Sequence, residues 1–108
     1  MALIFDEIQG KVLKIGRDDD NLIDFSTDNQ VNFRVNASTE LVLGVASLSP
    51  GAQNGLALGT ASNAWADIFL YAGGVINFNN GDVTLTHSSN TLTLNDNLVV
   101  GGDLSTLP

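Results

Sequence analysis

Apolar residues recur at every second position through two parts of this chain. In the first, Ile23 and Phe25, then Val31, Phe33 and Val35, then Leu41 and Leu43 follow the period of half-buried strands. The stretches between them, STDNQ and NAST, consist of residues that turns use. Pairing Phe25 with Val31 also pairs Ile23 with Phe33 and gathers four large apolar groups on one face. Asp24, Asn32 and Arg34 then share a face that is wet or lies at an interface. The second part repeats this grammar: Ile76 and Phe78, Asn80-Gly81, Val83 and Leu85, SSN, Leu92 and Leu94. Asn-Gly between alternating strands predicts a type I′ hairpin, because both central residues of that turn need positive φ. It sets Phe78 opposite Val83 and Ile76 opposite Leu85, so that register and pattern agree. The two parts show the same order of three strands and two polar turns at an offset of about fifty residues. Internal duplication and convergent β patterning both account for that.

The flanking segments are less regular. Residues 3 to 15, LIFDEIQGKVLKI, read as a hairpin turning at Gln9-Gly10, with a short helix over residues 2 to 9 as the alternative. Asp18, Asp19 and Asp20 form a solvated acidic turn or, alternatively, a cation site. An EF-hand loop is not its pattern, since Leu22 and Ile23 occupy positions that such a loop gives to a ligand and a glycine. Pro50-Gly51 and Asn54-Gly55 break the chain into a loop, with a short strand expected at Leu56 to Leu58. Trp65 is followed by Ile68, Phe69 and Leu70, which predicts a core anchor and a strand near Ile68; a Trp that binds sugar or a partner is the alternative. A last strand is expected at Leu98 to Val100. Residues 1–20 are thus expected to form an N-terminal docking segment and 21–108 a β-rich oligomerisation domain.

Composition narrows the possible functions. The chain has 108 residues, 44% hydrophobic and 15% charged, and a net charge of −8. A chain this short buries a modest core alone. The negative field repels nucleic acid and anionic membranes, so neither is expected as a partner. Three of the four basic residues, Lys11, Lys14 and Arg17, lie near the N-terminus beside Ile4 and Phe5, and this group is the candidate docking surface. Without cysteine there is no disulfide, thiol nucleophile or cysteine-bound zinc. The N-terminus lacks the basic start of a secretory signal, and no apolar run approaches the ~20 residues of a membrane span.

Candidate chemistry is sparse. His87 is the sole histidine and has no second His or Cys to share a metal or a nucleophile relay. No G-x-S-x-G elbow is present. Asp67 and Asp82 are the carboxylates that a glycosidase reading would pair, and nothing in the spacing brings them together. Asn36-Ala37-Ser38 matches a glycosylation acceptor, a short pattern that arises often by chance. No enzyme activity, metal or cofactor is expected.

The stretch LALGTASNAWADIFL, followed by GGVINFNNGDVTLTHSSNTLTL, resembles segments of tail fibres and other virion surface proteins of tailed bacteriophages. The likeness covers roughly Leu41 to Leu98, about half the chain. It implies an all-β fold of short antiparallel hairpins assembled as an intertwined homotrimer, made in the host cytoplasm and placed on the virion. It supplies no catalytic residues. Short strands with few lysines to guard their edges also favour self-assembly. The expected assembly and core anchors are Trp65, Ile68, Phe69, Phe25, Phe33 and Phe78. Capsid decoration and stabilisation is the first expectation, with the major capsid protein as partner, because a complete product of this length has no room for a fibre's shaft and tip. A short tail fibre or spike that joins tail proteins or binds a host surface glycan is the second. A monomeric carbohydrate-binding β-domain using Trp65 or Tyr71 is the third.

Overall fold

A computed structural model describes residues 6–104. The protein is all-β, with eight strands in two antiparallel sheets among the described residues. Its contacts divide it into two units between Ala64 and Trp65.

The first unit holds β1 (Lys14–Gly16), β2 (Leu22–Asp24), β3 (Val31–Val35), β4 (Ser38–Leu43) and β5 (Leu48–Pro50), a meander in sequence order. The register pairs Ile23 with Phe33, as the alternation requires. It also aligns Ile15, Ile23, Phe33, Leu41 and Pro50 in one row across all five strands. Pro50 is tolerated because β5 is an edge, where a missing N–H breaks no ladder.

Turn chemistry fixes this register. Asp18 Oδ1 accepts from the N–H groups of Asp20 (3.1 Å) and Asn21 (2.9 Å), closing the β1–β2 loop as an aspartate turn. Asn36 and Ala37 connect β3 and β4 with φ of 51° and 62°. Ala37 therefore holds a left-handed conformation that costs an L-residue about 1 kcal/mol or more. Ala37→Gly is expected to stabilise the fold by about 0.5–1 kcal/mol. Urea unfolding at one fixed protein concentration would check this; an unchanged midpoint would count against the strain.

The second unit holds β6 (Val75–Phe78), β7 (Val83–Ser88) and β8 (Thr91–Leu94), again a meander. Phe78 pairs with Val83 and Ile76 with Leu85, the register expected from Asn80-Gly81. At those central residues φ is 55° and 94°, and the Asp82 N–H donates to the Asn79 carbonyl at 3.3 Å. Asn79 also has a positive φ, 47°, so Asn79 to Gly81 are all left-handed. Asn95 locks the sheet from beyond β8. Its Oδ1 accepts from Thr84 N at 2.6 Å, while its own N–H donates to Thr84 O at 3.3 Å.

Several expected elements do not form. No strand lies between Asp6 and Gly10, so no hairpin turns at Gln9-Gly10 within the described residues; Lys14–Gly16 pairs forward with β2 instead. Leu56 to Leu58, Ile68 to Leu70 and Leu98 to Val100 are not strands. Apolar side chains alone do not make a strand; a ladder partner is needed, and none reaches these segments among the described residues.

Candidate functional site

Strand alternation sends every second side chain to the same face. In the first sheet one face carries Ile15, Ile23, Val31, Phe33, Leu41, Leu43, Leu48 and Pro50, while Lys14, Asp24, Asn32, Val42 and Ser49 align on the other, which also holds Leu22 and Arg34. In the second, Ile76, Phe78, Val83, Leu85, Leu92 and Leu94 share a face with His87, and Val75, Asn77, Thr84, Thr86, Ser88, Thr91 and Thr93 lie opposite. Each sheet is therefore amphipathic, and a stable β domain packs such a face against a second layer.

Within each unit no second sheet or helix covers that face among the described residues; Leu56 to Leu58 only border it beside Leu41, Leu48 and Pro50. Among the described residues no apolar side chain is buried, and the sole buried residue is Asn32, whose Oδ1 accepts from Gln30 Nε2 at 2.9 Å. Asn32 lies in the row Lys14, Asp24, Asn32, Val42 and Ser49, whose three central residues are half-buried or buried, so this face is not fully wet. The large apolar side chains left exposed include Ile15, Leu43 and Leu48 in the first unit and Ile76, Phe78 and Leu92 in the second.

The anchors foreseen in the sequence fall in two groups. Phe33 is half-buried on the apolar face of the first sheet, Phe25 lies at its margin, and Phe78 is exposed on the second. Trp65, Ile68 and Phe69 lie in the strandless segment before β6, Trp65 being 65% exposed and Phe69 92%. Within one chain Trp65 is not a core residue, because no sheet packs over it. Ile4 and Phe5 lie outside the described residues. Lys14 and Arg17 of the docking group face carboxylates of their own chain, Asp24 at 3.9 Å and Asp18 at 3.6 Å; Lys11 borders an open cleft with Phe25, Asp28 and Gln30.

The polar residues serve the fold. Asp18 spends its Oδ1 on the loop around it, and the Asp19 carbonyl accepts from Arg34 Nε at 2.9 Å. His87 Nδ1 accepts from Gly73 N at 3.2 Å. Among the described residues there is no grouping of three or more His, Asp or Glu fit to hold a metal, and no helix is long and apolar enough to cross a membrane. Sequence reasoning missed Asn21 and Asn95, whose side chains bond backbone across 15 and 11 residues. Their signal was an Asn immediately beside a strand.

Asp24 carries the one resolved acidity shift. The Ser26 hydroxyl and N–H (2.8 Å) donate to its carboxylate, and the Lys14 and Arg34 charges add to this, holding its carboxyl below the ordinary aspartate value. A depressed folded value means that its contribution is complete above the unfolded value and is lost as pH falls through the folded one. Asp24→Asn is therefore expected to flatten the acid side of the stability profile and leave its shape near neutrality unchanged. Urea midpoints of both proteins measured across that range would test this.

Comparison with known protein families, curated proteins and solved structures found no match for this chain.

Proposed function

We propose that this chain is a non-enzymatic structural protein of a tailed-phage virion exterior, a homotrimer that decorates and stabilises the capsid. One observation carries the assembly part: two amphipathic sheets whose apolar faces lack a covering layer, in a chain with no buried apolar residue among those described. Threefold closure and the virion location rest on the likeness of Leu41 to Leu98 to phage surface proteins. The charge of −8 favours a protein partner over nucleic acid.

Light scattering coupled to size exclusion at micromolar concentration is expected to give three chain masses. Co-sedimentation with isolated tailless heads is then expected to carry the protein down, whereas intact host cells leave it in solution. A monomer would remove the trimer. A trimer that bound cells and ignored heads would remove capsid decoration and favour an adhesin.

A further inference from the structure

The run Ile68-Phe69-Leu70-Tyr71 is the longest unbroken series of large apolar side chains among the described residues. The longest such run inside a strand is Leu41-Val42-Leu43 of β4, one residue shorter. All four residues are exposed, Phe69 at 92% and Tyr71 at 90%, so neither side of the segment rests on its own unit. A continuous apolar run is the pattern of a strand covered on both faces.

Its backbone is also unspent. Among the described residues no N–H from Ala66 to Ala72 donates to a protein group, whereas the neighbouring Gly73 and Gly74 do, to His87 Nδ1 (3.2 Å) and Tyr71 O (2.7 Å). The segment thus ends in a fixed turn, with Gly73 at φ 84°, anchored to β7 through the Gly74 carbonyl, which accepts from His87 N at 3.1 Å.

We propose that Asp67 to Tyr71 is an intermolecular strand that adds to an open sheet edge of a second copy of this chain. Each copy carries both halves of the contact. It has an apolar segment without a ladder partner, and sheets of three and five strands with free edges. A contact between unlike surfaces of identical chains repeats and closes into a ring when the rotation allows, which a trimer satisfies. The inference rests on the assembly proposed above and assigns its strand.

The test reads amide hydrogen exchange of the wild-type chain beside its solution mass, with Trp65 emission as a second report from the same segment. The expected result is an oligomer in which Ala66 to Ala72 exchange as slowly as Val83 to Ser88 and Trp65 emits at blue-shifted wavelengths. Dilution to the dissociated chain should then release that protection and shift the emission to the red. In the same assay Phe69→Asp is expected to weaken association by at least 100-fold. Should that variant fail to fold, the wild-type exchange data still decide.

An oligomer whose Ala66 to Ala72 amides exchange at unstructured rates overturns this strand and leaves the assembly standing. A monomer at micromolar concentration overturns both. Protection that appears only when phage heads are added assigns the segment to the capsid and overturns the self-contact.

Discussion

Diluting the protein tenfold is expected to lower its thermal midpoint by about 4 °C, a shift that a monomeric fold of this size would not show. The argument starts from the sheets. No apolar residue is buried among those described, so on the proposed assembly the free energy that offsets chain entropy comes from contacts between copies. For three chains that unfold as they separate, each tenfold dilution costs about 2.7 kcal/mol per trimer, or about 0.9 kcal/mol per chain. Divided by an unfolding entropy of about 2.1 cal/mol/K per residue, this gives the expected shift. Calorimetry over two decades of concentration would measure it. A constant midpoint would mean that a single chain completes its own core.

Gly51→Ala is expected to destabilise the chain by about 2–3 kcal/mol, the largest effect we foresee for a single methyl group. In β4, Glu40 has no partner on β3, because the register shifts between Phe33 and Arg34. Such a bulge bends its strand. The bent backbone meets Gly51, whose N–H donates to the Glu40 carbonyl at 2.8 Å. A Cβ at Gly51 would land on the Thr39 carbonyl, 2.6 Å from its carbon and closer still to its oxygen. Backbone on both sides leaves no side chain to swing away. Gly102→Ala is the matched control, since a Cβ there meets nothing within 4 Å. Its expected effect lies within about 0.5 kcal/mol. Urea midpoints at one protein concentration would compare the two, and equal values would refute the contact.

Gly51 also shows where sequence reasoning stopped. Pro50-Gly51 reads as a turn, and a turn explains glycine well enough. Only the pairing of β4 with β5 shows that the demand is for close approach between two backbones. The acidic loop is a similar case. Three consecutive aspartates suggest either solvation or a cation, whereas the fold uses Asp18 to close a turn and the Asp19 carbonyl to hold Arg34. Likewise Ile15 and Pro50 complete a five-strand apolar row that local alternation did not reveal, because strands of three residues are too short to establish a period.

The sequence by itself determined the β class, the register of Ile23 with Phe33 and of Ile76 with Leu85, and the Asn80-Gly81 turn. These are local: a period of two and a positive-φ dipeptide act over a few residues and leave one register that keeps apolar groups on one face. Tertiary structure alone decided which apolar runs become strands. Ile68 to Tyr71 and Leu98 to Val100 are as apolar as any strand here, yet they stay unpaired, since a strand exists only where a second backbone lies alongside. It also decided that Trp65 is exposed, because burial depends on having a layer to pack against, and no strand forms beside it among the described residues.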